Sequence, residues 1–490
     1  MQRKIVWYLG LLSVTVLLNG LVFSAGFCQK TASAAESAIS HQPPDDASGP
    51  PLILTLPECV ARGLKENPKI KAAESGVQLA VSDVGAQRGN FFPTLTASTF
   101  KDELQSLRAK GLTQVDYLDQ DIWSVDLRVS QTLFQGLMIF NTYQKAIIAA
   151  DLARAQKNQT EMDLILDIQT NFLKLLKASE DVRSLQSAVE RLEINEKSVK
   201  AYYENQMTPY LSVLQSKVDL ADAQEQLSQA KNLVETQKVT MNLLLGIPVE
   251  TPVVYEGEPS LEASDVDIDL ARCLDCAYQN RPEVEVAQKS IEMAEKELAI
   301  QRGRFSPKVS ANYDYIIRNT DYKHPGYDGT GQPYNRDEEN TYWMVALQLQ
   351  WDFNLGGQQF YQQARAKHDM ERLIHHRQEV KDQISAQIRT SFLKLQEAKS
   401  RIATSRTALD AAEESYARSK KWSQVQMGTI IDLLDIQAKL TRAEANRNIA
   451  MSDYRLSLAN LYYAMGRRND GLTEPPTGLV KPAAPSGDSN

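Results

Sequence analysis

Two different rhythms of apolar residues run along this chain. Leu164, Ile168, Phe172, Leu175, Val182, Leu185, Val189 and Leu192 recur at steps of three, four or seven, the spacing that lines one face of an α-helix. Residues 139–205 around them contain neither proline nor glycine, and the same is true of residues 358–426. At 1.5 Å per residue each stretch predicts a helix on the order of 100 Å long, far beyond the dozen residues usual in globular proteins. Shorter helical patterns follow at 211–245 and 431–465, and others occupy 69–87 and 283–301. Each long helix therefore has two short ones that, end to end, match most of its length.

The second rhythm has period two. Trp123, Val125, Leu127 and Val129 alternate with Ser124, Asp126, Arg128 and Ser130. Trp343, Val345, Leu347, Leu349 and Trp351 alternate with Met344, Ala346, Gln348, Gln350 and Asp352, and Val309, Ala311, Tyr313 and Tyr315 do so upstream. Leu95, Ala97 and Thr99 repeat the pattern more weakly. One apolar and one polar face predicts four half-buried strands, two per hairpin. Two architectures give such a pattern: a sheet packed on helices in water, or a wall of a membrane barrel with its apolar face toward lipid. The connector spanning residues 319–341, rich in Gly, Pro, Tyr and charge, fits an outer loop of the second. Four strands cannot close a barrel, and an open edge in lipid leaves backbone groups unpaired. The barrel would have to be shared: two copies supply eight strands, three supply twelve.

The halves of the chain repeat. Cys59, Pro68, Ala73, Ala80 and Gln87-Arg88-Gly89 recur 214 residues later as Cys273, Pro282, Ala287, Ala294 and Gln301-Arg302-Gly303. Trp123, Gly136, Phe172-Leu173-Lys174-Leu175, Gln206-Met207 and Gly246 recur 220 residues later as Trp343, Gly356, Phe392-Leu393-Lys394-Leu395, Gln426-Met427 and Gly466. The expected organisation is a signal peptide over 1–34, a polar linker over 35–52, one unit of helix, hairpin and long helical hairpin over 53–255, the same unit over 256–466, and a tail over 467–490.

Composition narrows the class. The net charge of −8 offers no basic surface for nucleic acid. Arg3 and Lys4 precede an apolar run over 5–27 and the small residues Ala32-Ser33-Ala34, the order of an export signal. Cys28 lacks a small residue before it, since Phe27 stands there. The CxxC of Cys273 and Cys276 falls on a predicted helix with no second ligand pair nearby, so it reads as packing rather than metal chemistry. His368, His375 and His376 with Glu371 share a helix face and read as a solvated surface. No phosphate loop, nucleophile elbow or HExxH occurs, so neither catalytic nor cofactor-binding residues are expected. A soluble periplasmic coiled-coil adaptor is the rival expectation, explaining the helices and the signal but not the Trp-bearing strands.

Several motifs, in order and in two copies, are shared with a known family: Asn67-Pro68 and its variant Asn280-Arg281-Pro282, the helix exits Arg88-Gly89 and Arg302-Gly303, LRVSQTLFQG and LQLQWDFNLGG entering the long helices, and VQMGTIIDLLDIQAKLTRA at the second helical hairpin. Over residues 53–466 the chain resembles the TolC family of bacterial outer-membrane efflux proteins. The resemblance implies a mainly α fold with a small membrane β part: a homotrimer with a twelve-stranded β-barrel in outer-membrane lipid and a twelve-helix periplasmic tunnel. It implies a passive exit duct of a tripartite efflux pump or a type I secretion system, docking on a periplasmic adaptor and an inner-membrane RND, ABC or MFS transporter. Carried over residue by residue, Met207, Thr208, Pro209, Met427, Gly428 and Thr429 would form the docking tips. Asp432 and Asp435 would ring the periplasmic constriction. The first tip departs from the family pattern, reading Asn205-Gln206-Met207-Thr208-Pro209 and then Ser212, and no arginine separates Gly428 from Asp432. The family's salt-bridge latch therefore has no direct counterpart, and Arg418, Lys420 and Lys421 are the nearby cations.

Overall fold

The computed structural model describes residues 52–110, 114–257, 269–323, 326–327, 330, 332–335, 337–424 and 430–472. The first half begins with the short strand β1 (Leu52–Leu54), then α1 (Leu56–Glu66) and α2 (Pro68–Gly89). A hairpin, β2 (Thr94–Lys110) and β3 (Gln114–Gln135), leads into α3 (Met138–Glu204), α4 (Tyr210–Leu245) and β4 (Val253–Tyr255), which pairs with β1. The second half runs α5 (Leu270–Asn280), α6 (Pro282–Gly303), β5 (Lys308–Tyr322), the two-residue strands β6 (Gly326–Tyr327) and β7 (Pro333–Tyr334), β8 (Glu338–Gln350), α7 (Gln358–Gln424) and α8 (Ile430–Ala464). Both long helices, α3 and α7, have 67 residues.

Why the helices start where they do is written locally. Asn67 accepts a hydrogen bond from the Lys69 amide at 2.8 Å, and Pro68 occupies the first helical position of α2, where a missing N–H costs nothing. The Asn67 side-chain amide also donates to the carbonyl of Leu244 at 2.8 Å, tying the start of α2 to the last turn of α4. At the equivalent place Arg281 donates to the carbonyl of Tyr463 at 3.0 Å. Gly246 and Gly466 end α4 and α8 with φ of +68° and +70°, the left-handed cap that glycine adopts without strain.

The core follows the repeat. Cys59, Gly63, Ile168, Leu175, Met241 and Leu245 are buried together in the first half; Cys273, Ala277, Ile388, Leu395, Leu461 and Met465 occupy the equivalent places in the second. A Cβ on Gly63 would lie 2.4 Å from Ile168 Cδ1, so the first half fills with isoleucine the space that the second fills with Ala277. In each half a short helix thus closes the angle between the long helix and the end of its partner.

Helix packing has an asymmetry that the sequence repeat lacks. Helix α3 packs against α1, α2, α4, α6 and α8, whereas α7 packs against α5, α6 and α8. The strands form one antiparallel sheet in the order β2-β3-β5-β8. Among the described residues β2 and β8 each pair on one side only. The two hairpins expected from alternation are present. Those of the first half run longer than the alternating segment, because the ladder continues through Arg108↔Asp116 and Lys110↔Gln114.

Candidate functional site

Two regions carry the features that matter for function: the sheet and the tips of the helical hairpins. The sheet is inside out relative to a soluble protein. Trp343 is 67% exposed and Leu347 72%, while Ser124 is 1% and Asp314 2% exposed on the opposite face. The register puts these on consistent sides. Trp343 stands opposite Tyr315, Tyr315 opposite Leu127, and Leu127 opposite Ala97, all on the apolar face. On the enclosed polar face Arg128 pairs with Asp314, the Ser130 hydroxyl lies 2.8 Å from Asn312 Oδ1, and Asn312 donates to Gln348 at 3.3 Å. An apolar exterior and a hydrogen-bonded polar interior is the lining of a water-filled barrel in lipid, and it would be unstable as a free sheet in water.

Toward the connector the face that carries Trp123 gives way to a charged cluster, since Asp119 and Asp121 lie two and four residues before that tryptophan on the same strand. Lys323 Nζ binds Glu103, lies 3.3 Å from Asp119 and 3.5 Å from Asp121, and the Lys323 amide donates to the Asp119 carbonyl at 2.9 Å. Among the described residues no helix is long and apolar enough to cross a membrane.

At the first helical tip the chain reverses over Asn205 to Pro209. Gln206 takes a left-handed φ of +59°, and the Met207 amide donates to the Tyr202 carbonyl at 2.8 Å. The Asn205 side chain donates to the carbonyl of Ala201, and Pro209 takes the extended backbone that begins α4. The Tyr203 and Tyr210 rings meet across the turn at 5.3 Å. Met207, Tyr210 and Leu211 are exposed, Thr208 is half-buried and Pro209 exposed, so the tip presents an apolar, aromatic surface to solvent.

Of the second tip, Met427, Gly428 and Thr429 lie outside the described residues. Asp432 and Asp435 stand in the first turns of α8, both exposed. Three apart on a helix, they share a face, and the helix N-terminus favours their charge. Asp435 pairs with Lys439 at 2.7 Å. Among the cations considered for a latch, Arg418 is engaged with Glu414 on its own helix. One group near the first tip was not anticipated: burial, and then the charge of Asp222, raises the carboxyl of Asp219 above the ordinary range. The signal was present as two aspartates three apart on α4. His368 and His376 each bond a glutamate of their own turn, Glu371 at 2.9 Å and Glu379 at 3.1 Å.

The family model described as outer membrane efflux protein matches residues 60–247 and 273–467. A search of curated protein sequences gave no match. Among solved structures, the Campylobacter jejuni CmeC outer membrane channel is similar with a TM-score of 0.72 at 14% identity, over 85% of this chain and 86% of that one. The outer membrane protein VceC of Vibrio cholerae gives 0.70 at 15% identity, over 84% and 96%. The Neisseria gonorrhoeae MtrE outer membrane channel, in its open state, gives 0.68 at 15%, over 85% and 89%. The two family segments coincide with the two halves of the internal repeat.

Proposed function

The chain belongs to the outer membrane efflux protein family, and from that premise we propose how its parts work as an exit duct. The protein is an outer-membrane channel that extends into the periplasm and serves efflux. Its four strands are one third of a twelve-stranded barrel that three copies close together, with the polar face of Ser124, Asn312 and Asp314 toward the pore. The helices continue the wall as a periplasmic tunnel. The tips, through Met207, Thr208 and Pro209 and through Met427, Gly428 and Thr429, dock a periplasmic adaptor that connects to an inner-membrane RND, ABC or MFS transporter. Asp432 and Asp435 line the narrow periplasmic mouth, where threefold symmetry would gather six carboxylates and attract cations.

One observation carries the assembly: the sheet exposes Trp343, Val345, Leu347 and Leu349 on one face and, among the described residues, has an unpaired ladder at both edges. Lipid covers such a face, and only neighbouring strands satisfy such edges. The test is the mass of the detergent-extracted protein by light scattering together with its conductance in planar bilayers. A particle of three chains that conducts is expected; a stable monomer in detergent would refute the shared barrel.

A further inference from the structure

The internal repeat is covered twice in its first half and once in its second, and that difference carries an inference about where each residue of one copy meets the next. It rests on the trimeric assembly proposed above and adds the register of the seam.

Contacts within each half already obey the repeat. The Gln131 side chain donates to the Phe91 carbonyl at 3.3 Å, and its equivalent Trp351 donates to the Phe305 carbonyl at 3.1 Å. Lys157 reaches Glu74 at 2.9 Å, and its equivalent Arg377 reaches Gln288 at 2.7 Å. Equivalent residues therefore make equivalent bonds even where the side chains differ.

Contacts between the halves have no second copy inside the chain. Helix α6 lies between α3 and α7, which buries Ala287, Ile291, Ala294, Leu298, Ile300 and Gly303. Of the two long helices, its repeat mate α2 packs among the described residues on α3 alone, and Ile70 is its one buried residue. Yet α2 keeps the same small and apolar positions, Ala73, Val77, Ala80, Val84, Ala86 and Gly89, all at least partly open to solvent. It also holds glycines at 76, 85 and 89, where a Cβ would meet nothing within 4 Å. Glycine inside a helix is less favourable than alanine, and nothing among the described residues requires those three.

We infer that α2 and β2 of one subunit fit α7 and β8 of the next as α6 and β5 fit α3 and β3 within the chain, in the same register. Three contacts follow. Lys145 binds Glu297 at 2.9 Å between α3 and α6; the equivalent pair is Arg365 with Asp83 of the partner subunit. Charge is conserved at both places, and the acid is held in the same way. Gln301 donates to Glu297 at 2.6 Å, and Gln87 donates to Asp83 at 3.1 Å. Next, Gly136 and Gly303 meet backbone to backbone, since a Cβ on either would lie 2.3 Å or 2.5 Å from the other's carbonyl oxygen; Gly356 and Gly89 of the partner subunit repeat that approach. Finally, Val129 stands opposite Tyr313 and Gln131 opposite Ala311, so Leu349 stands opposite Thr99 of the partner subunit and Trp351 opposite Ala97 of the partner subunit.

The experiment uses the full chain in outer membranes, with cysteine pairs joined by a short bis-maleimide, which spans the Cα separation of an ion pair where a disulfide does not. Asp83→Cys with Arg365→Cys is expected to give a boiling-resistant ladder of two and three chains. Asp83→Cys with Arg372→Cys, two helical turns away, is expected to give none. Independently, Asp83→Arg or Arg365→Asp alone should lower the temperature at which the trimer dissociates, and the two together should restore it. A trimer that links 83 to 372 but not to 365, or links neither, overturns the register while leaving the assembly intact. Loss of the trimer in the unaltered chain overturns the assembly itself, so the two failures are distinguishable.

Discussion

Single residues show how the fold treats groups that sequence patterns make ambiguous. Cys59 is fully buried between α1 and its neighbours, and burial, then the charge of Glu58, pushes its thiol up to about 12. Burial does the same to Cys273, which rises to about 11. The thiolate is the reactive form, so maleimide should label both slowly in the native protein and rapidly in denaturant. Fast native labelling would contradict the packing. The sign of the pH effect follows from linkage. The folded chain holds this proton more tightly than the unfolded one, so the associated stability is fully present below about pH 9 and is lost as pH climbs toward 12. A Cys59→Ala variant should therefore show a shallower fall in thermal midpoint between pH 8.5 and pH 10.5 than the parent. Asn67 is a second case. It caps α2 and holds Leu244 with the same side chain, and Asn67→Ala should cost about 1–3 kcal/mol in chemical denaturation. The Asn-Pro dipeptide was legible as a shared motif, and the structure shows it to be the cap. The tie to Leu244 was not, because it joins residues 177 apart.

At the scale of elements, the helices were legible because proline and glycine are absent for nearly seventy residues and apolar steps of three and four persist. The observed α3 and α7 fall within two residues of the ends expected. The strands were legible where period two is strong, as around Trp123 and Trp343. Beyond it, at Leu104 to Lys110, pairing with β3 rather than alternation holds the chain extended. The short strands β1 and β4 carry no pattern of their own and exist through each other. The tip of α8 is where we propose that an element acquires function. Asp432 and Asp435 sit in its first turns, with Lys439 on Asp435, so the pair is partly neutralised within one chain. Asp432→Ala with Asp435→Ala should reduce cation preference and weaken block by multivalent cations in single-channel recordings. Lys439→Ala should strengthen that block, because it frees a carboxylate. Asp410→Ala, on an exposed stretch of α7 distant from the tip, should change neither. A double variant that conducts and blocks like the parent would move the constriction elsewhere.

At the scale of the molecule, what no single motif could tell is direction, and the repeat supplies it. In each half the chain leaves a short helix at Gly89 or Gly303, runs through a hairpin and returns into a long helix at Gly136 or Gly356. Both hairpins thus leave and re-enter the helical part on the same side, and the helical tips near Thr208 and Asp432 lie at the far ends of α3 and α7. The inverted sheet must span the membrane, so the helices all lie on one side of it and the hairpin turns on the other. An exported chain with its helices in the periplasm should then present the connector expected over residues 319–341 to the outside. The charge there agrees: Lys323 gathers Glu103, Asp119 and Asp121, and the Tyr322 amide donates to Asp337 at 3.0 Å, groups that need water rather than acyl chains. A short peptide tag inserted after Gly331 should bind antibody on intact cells, and a tag inserted after Thr208 should bind it only after the outer membrane is permeabilised. The opposite pattern would reverse the orientation of the whole duct and detach the tips from any periplasmic partner.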